Sequence, residues 1–243
     1  MLWGLDFKLY SRNMKVAAIS DLHGNLPDYR EAFKDIELLL ICGDIVPLNI
    51  QANNHKSKRW FNEEFNRWID SLPIQKCFFI AGNHDFPAER SPDWMYTHFT
   101  KSDKATYLCN DSVDYISSDG NVYKIFGTPY CHIFGNWPFM RDGERLEKYF
   151  DQMPEFCDIV VSHDAPYGTS DICFQFDEYE HRGNIQLREA ILKNDPRYLF
   201  HGHLHSSNHD LEFLGDTRVF NTSVIDEEYE LKYEPLILNI KNE

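Results

Sequence analysis

Five short clusters of carboxylate, imidazole and amide side chains each stand directly behind an apolar run. They are Asp21-Leu22-His23, Gly43-Asp44, Gly82-Asn83-His84-Asp85, Ser162-His163-Asp164 and Gly202-His203-Leu204-His205. An apolar run that ends in polar residues reads as a buried strand giving way to a loop. Loops at strand ends are where α/β proteins build sites. Any one cluster is ordinary: Asn-His-Asp after a strand is usually a polar turn, and Gly-Asp is found everywhere. Because each follows a strand, all five could converge at one edge of a sheet.

The rest of the chain is consistent with that arrangement. Residues 1–13 form a mixed N-terminal extension, and a single domain is expected over 14–243, because no repeat, low-complexity tract or linker divides the chain. Strands are predicted over 15–20, 36–42, 77–81, 157–161 and 197–200. Residues 113–118 and 122–126 flank Asp119-Gly120-Asn121, a hairpin turn signal. Further strand-like patterns cover 210–224 and 230–240. Helices are predicted over 28–34, 59–71, 144–151 and 185–193, with Asn194 and Pro196 stopping the last. Residues 47–58 and 164–182 read as loop, and 86–111 as loop with short helix. Early helix–strand alternation followed by hairpins implies an α/β chain with mixed sheets, covered by helices on the outside.

Composition narrows the partners. Lys plus Arg number 24 against 39 Asp plus Glu, a formal net charge of -15, which repels nucleic-acid backbones and anionic membranes. A small phosphate ester remains compatible if bound cations invert the local sign. The six cysteines form no C-x-x-C pair; Cys42, Cys77 and Cys157 lie in or open apolar runs, as small buried hydrophobes do. That usage fits reduced thiols in a cytoplasmic protein. No apolar stretch approaches the roughly 18 residues of a membrane span.

The clusters supply carboxylate, imidazole and amide donors but no thiolate, a set suited to Mn, Fe, Zn or Mg rather than structural zinc. Two such ions about 3.5–4 Å apart need a bridging ligand. Asp44, isolated behind Gly43, is the natural bridge.

In this order the residues resemble the calcineurin-like metallophosphoesterase superfamily, whose signature D-x-H, G-D, G-N-H-D/E, H, G-H-x-H is present in full. The resemblance implies two facing mixed β-sheets flanked by helices, a four-layer fold with a dinuclear metal centre at the sheet edge. It implies that one ion takes Asp21, His23, Asp44 and His205, and that the other shares Asp44 and takes Asn83, His163 and His203. His84 would protonate the leaving-group oxygen, with Asp85 holding its imidazole. Manganese is the ion expected to support activity. The implied reaction is in-line hydrolysis of a phosphate ester, and the expected partner is a small ester such as a nucleotide.

Two details bear on the branch. Protein Ser/Thr phosphatases carry arginines after Gly-Asp and before Gly-Asn-His-Glu; here Gly43-Asp44 runs into Ile45-Val46-Pro47-Leu48, and Ala81 precedes Gly82. The loop Gly127-Thr128-Pro129-Tyr130 through Gly135-Asn136-Trp137-Pro138-Phe139 instead resembles that of small metallophosphoesterase-domain proteins, a branch that hydrolyses phosphodiesters. A diester is therefore the expected substrate, with a phosphomonoester and a metal-bearing scaffold of low activity as alternatives. Asn25, Trp137 and Arg182 are candidate substrate contacts. Asp164 stands where such relatives often have glycine, adding a negative charge near the site. His55, His98, His132, His181, His201 and His209 are expected to be structural or surface residues.

Overall fold

The computed structural model describes residues 13–99, 103–175 and 178–241. All but the last residue of the expected N-terminal extension lies outside that range.

Strand β1 (Met14–Ile19) leads to β2 (Leu38–Cys42). Helix α1 (Asn54–Trp60), a π-helical turn (Phe61–Phe65) and α2 (Asn66–Ser71) form one continuous helical stretch, which residues 72–75 link to β3 (Lys76–Ile80). After α3 (Phe86–Arg90) and α4 (Pro92–Phe99) come β4 (Ala105–Tyr107), β5 (Asp111–Ile116) and β6 (Val122–Thr128). Two short strands, β7 (Cys131–His132) and β8 (Met140–Arg141), precede α5 (Gly143–Phe150) and β9 (Ile159–Ser162). A hairpin, β10 (Ile172–Gln175) and β11 (Glu178–His181), is followed by α6 (Ile185–Asn194) and β12 (Tyr198–His201). The chain closes with β13 (Glu212–Leu214), β14 (Thr217–Asn221) and β15 (Leu236–Ile240).

These form two mixed sheets, ordered β15-β1-β2-β3-β4 and β13-β14-β12-β9-β6-β5. The strands that end in the polar clusters are parallel to their neighbours: β1 with β2, β2 with β3, β6 with β9 and β9 with β12. Their C-terminal ends therefore lie at one edge. There a parallel bridge between Ser20 and Ser223 ties the first sheet to the second.

The apolar run of β2 shows why the strands are hydrophobic throughout. Side chains alternate between faces. Leu38, Leu40 and Cys42 join Phe78 and Ile80 of β3 against Ile125, Ile159, Val161 and Phe200 of the opposite sheet. Leu39 and Ile41 face the other way, in a cluster with Phe61, Phe65 and Trp68 of the helices. In the second sheet Val160 and Leu199 point outward to a cluster that includes Leu146, Leu187 and Ile191. The order is helix, sheet, sheet, helix. All six cysteines are free thiols.

Three element boundaries differ from the expectation. Residues 28–34 form hydrogen-bonded turns rather than a helix: Asp28 is tied to Arg30, and Phe33 N–H to Tyr29 O closes a single turn. A helix begins at Asn54 inside the expected loop, because the Asn53 side chain caps it by accepting from Lys56 N–H. The irregular stretch 164–182 contains the β10–β11 hairpin, anchored by Asp171, whose carboxylate accepts from Gly168 and Gly183 N–H and pairs with His181 at 2.7 Å.

Gly127 of β6 packs tightly on its neighbours: a Cβ there would lie 2.6 Å from Leu108 Cβ and 2.9 Å from Ile80 Cγ2 of the opposite sheet. Gly127→Ala is expected to overpack this layer and cost about 1–3 kcal/mol, read as a drop of several degrees in melting temperature. An unchanged melting temperature would mean that the sheets can part without penalty.

Candidate metal centre

Each cluster is delivered by a strand and then turned sharply. Asp21, His23, Asp44 and His203 all have positive φ, at 58°, 42°, 54° and 69°. Non-glycine residues adopt that region at a cost, and such strain gathers at functional sites. The turns are fixed by backbone bonds between the first two clusters: Asp21 N–H to Gly43 O and His23 N–H to Asp44 O. Gly82 is required by packing, because a Cβ there would collide with the Asp44 carboxylate.

Two groups of ligand-type side chains result. Asp21, His23 and His205 bring their ligand atoms within 4.8 Å of one another, and so do Asp44, His163 and His203. Asp44 also joins the groups. Its Oδ2 lies 3.6 Å from His23 Nε2, 3.5 Å from His163 Nε2 and 4.0 Å from His84 Nε2. Asn83 Oδ1 sits 2.9 Å from His163 Nε2.

Backbone carbonyls select which imidazole nitrogen is presented. His163 Nδ1 bonds Cys42 O at 2.8 Å, and His205 Nδ1 bonds Asp226 O at 3.1 Å. Each therefore turns Nε2 inward, as a second shell does at metal sites. His23 is 7% exposed, yet neither of its ring nitrogens has a hydrogen-bond partner. A buried polar group left so is costly, and a cation between His23, Asp21 and His205 would remove the cost. The donor set fits divalent ions.

The electrostatics agree. Burial would raise Asp21 and Asp44, but the facing imidazoles more than offset it and hold both below the ordinary carboxylate range, Asp44 well below. Burial pushes His23 and His203 down to about 4, so both are neutral and able to ligate. At His163 burial is outweighed by Asp44 and the group is held up to about 10. A divalent ion between His163 and Asp44 would displace that proton.

The expected Asp85–His84 contact is not formed. Asp85 is fully buried, and its carboxylate accepts from Gly82 N–H at 2.8 Å, Ile45 N–H at 3.0 Å and Val46 N–H at 2.9 Å. It staples the Asp44 loop to the Asn83 loop. Burial and the nearby Asp44 charge push it up to about 7. The His84 imidazole is instead held by Gln51, with Oε1 2.6 Å from Nδ1, while His84 N–H donates to Asp44 Oδ1 at 2.7 Å. Gln51 lies in the polar stretch before α1, where no sequence pattern distinguishes it.

The other candidates divide. Trp137 lies against His84, ring centroids 4.6 Å apart. Asn25 closes the turn after His23 by donating its N–H to Leu22 O. Arg182, just after the hairpin, pairs through Nη2 with Glu180 at 2.5 Å, while its buried Nε has no hydrogen-bond partner. The Asp164 charge is sequestered: the carboxylate is fully buried and accepts from His132 N–H, His132 Nδ1 and Asn184 Nδ2. Tyr229, in no motif, places its ring against His23 and His205, at 4.9 and 5.4 Å.

A family model of calcineurin-like phosphoesterases matches residues 14–207. The chain belongs to that family. Metallophosphoesterase domain-containing protein 1 of Homo sapiens is 24% identical over 243 residues, covering 93% of this chain and 71% of the human protein. A UPF0046 protein of Caenorhabditis elegans is 24% identical over 254 residues, covering 97% of this chain and 84% of its own. Among solved structures, TT1561 of Thermus thermophilus superposes with a TM-score of 0.59 at 13% identity, over 94% of this chain and all of that one. Another crystal structure reaches 0.68 at 16% identity, again over 94% of this chain. At such identities the structures speak to the fold, which is that of metallophosphoesterases. Among the described residues no helix is long and apolar enough to cross a membrane.

Asp85→Ala would strand three buried N–H donors. It is expected to cost about 2–5 kcal/mol, measured by urea denaturation, and to weaken metal binding because the Asp44 and Asn83 loops part. A fully stable Asp85→Ala protein that loses only turnover would return Asp85 to the proton-transfer role.

Proposed function

We propose that this protein is a dimetal-dependent phosphoester hydrolase acting on phosphodiesters. The observation that carries the reading is the convergence of two His/Asp groups on the Asp44 carboxylate, with the His84 imidazole beside it. One ion would be held by Asp21, His23, Asp44 and His205, the other by Asp44, Asn83, His163 and His203. When bound, two divalent ions supply positive charge for the phosphate oxygens and make water a competent nucleophile near neutral pH.

The chain's own residues do the remaining work. His163 and His205, fixed through Nδ1 by backbone carbonyls, keep Nε2 aimed at the ions. His84, with Nδ1–H donated to Gln51 Oε1, presents Nε2 as the proton donor to the departing oxygen. Gln51 is therefore a positioning residue. Asp85 keeps the two ligand loops at fixed separation.

The preference for diesters rests on charge. A monoester dianion asks for a cationic grip beyond the ions, and the positions that could provide one are Ala81, Ile45 and Val46, with Arg182 engaged by Glu180. A diester, carrying one charge less, needs no such grip. The similarity to metallophosphoesterase domain-containing protein 1 supports the same branch.

Hydrolysis of bis-p-nitrophenyl phosphate is expected to exceed that of p-nitrophenyl phosphate with Mn²⁺ added and to vanish with a chelator. The reverse order would make the protein a phosphomonoesterase, and no turnover with both ions bound would make it a scaffold. His84→Ala should keep two ions per chain by elemental analysis while kcat falls by about 10²–10⁴. Asp44→Ala should lose ions. If His84→Ala leaves turnover of a poor-leaving-group ester intact, the proton donor is elsewhere.

A further inference from the structure

Two aromatic rings flank His84, and neither is spent on the core. Trp137 lies 4.6 Å from the imidazole at an interplanar angle of 34°, and Tyr229 lies 6.5 Å from it at 70°. Trp137 is half-buried and Tyr229 is 37% exposed. No ring contact joins the two among the described residues; each meets His84 separately, and Trp137 also meets Phe86 edge-on at 5.9 Å.

The placement of Tyr229 is costly to make. Its φ is 64°, a region that aromatic residues rarely occupy. The turn that imposes it is over-determined: Asp226 N–H bonds Glu230 O, Tyr229 N–H bonds Asp226 O, and the Asp226 carboxylate accepts from Glu228 and Glu230 N–H. Asp226 O also bonds His205 Nδ1, so the turn that projects Tyr229 orients an imidazole of the metal centre as well. Its ring partners are His23, His84 and His205, side chains of the metal centre rather than of the core. Strain held in place by surrounding bonds points to function.

We propose that Tyr229 and Trp137 are specificity-determining residues, the two walls of a slot that receives a planar aromatic ring carried by the departing group of the ester. The proposal rests on the hydrolase reading above, because His84 marks the leaving-group side only if it protonates that oxygen. Aromatic walls bind a flat ring through stacking and edge contacts whatever its substituents. The ligand class is accordingly an aryl ester or a nucleotide whose base reaches the slot.

The test compares methyl phenyl phosphate with the methyl hexafluoroisopropyl diester, whose departing alcohol is of similar acidity but not planar. The wild-type protein, loaded with Mn²⁺, is expected to favour the phenyl ester in kcat/KM. That ratio should shrink by roughly 10-fold in Tyr229→Gly and in Trp137→Ala. Glycine suits the φ of 64°, so the turn survives; Tyr229→Phe should keep the ratio. A ratio unchanged in Tyr229→Gly and Trp137→Ala, or lost in Tyr229→Phe, overturns the slot. If the wild type hydrolyses neither ester, the diesterase reading fails by itself. The slot is then read by calorimetry as tighter binding of phenyl phosphate than methyl phosphate, an advantage that Tyr229→Gly removes; equal affinities overturn it.

Discussion

Asp21, Asp44 and Asp85 bury three carboxylates at one sheet edge, and their negative charge has to be answered from within the protein. An uncompensated buried charge costs several kcal/mol. They are answered in two ways. Asp21 and Asp44 face imidazoles, whereas Asp85 is wrapped by backbone N–H groups from both flanking loops. The first arrangement is open to cations, since the imidazoles offer lone pairs once neutral. The second is closed and structural. Acids that meet at one sheet edge thus have opposite fates, decided by what lies across from them.

The geometry that allows this is expensive locally. Four of the ligand-type residues occupy left-handed backbone regions, and the loops carrying them are clasped to one another by main-chain bonds between the first two clusters. Such strain persists only where the surroundings over-determine it. Here the surroundings are two sheets whose inner faces pack on each other, joined at the site edge by the Ser20–Ser223 bridge. Stability made in the sheets holds a costly arrangement at their edge. The same logic extends to Tyr229, whose turn shares Asp226 with His205.

Much of the fold was legible because burial leaves a mark on composition. The runs at β2, β3, β9 and β12 are apolar on both faces, which alternation into two separate cores explains. Less legible were segments whose conformation depends on single side-chain bonds. The 28–34 segment has helical composition but is held in turns, and the 164–182 segment hides a hairpin anchored by the buried Asp171. In the site, the residue types and their order marked the clusters. The partners of those residues left no pattern: Gln51 on His84, the Ile45 and Val46 donors on Asp85, His132 on Asp164 and the ring of Tyr229 all come from distant or unpatterned sequence.

The sequence by itself determined the chemistry available: nitrogen and oxygen donors behind buried strands, in an order that names the family, with no arginine beside either central motif. Tertiary structure alone decided which donors face each other. Asp85 follows His84 directly, yet its carboxylate points into the protein and bonds loops 40 residues apart in sequence. Adjacent residues on a sharp turn diverge, and hydrogen-bond partners are selected by proximity in space. Whether a carboxylate steadies an imidazole or a loop is therefore settled only when the two sheets meet.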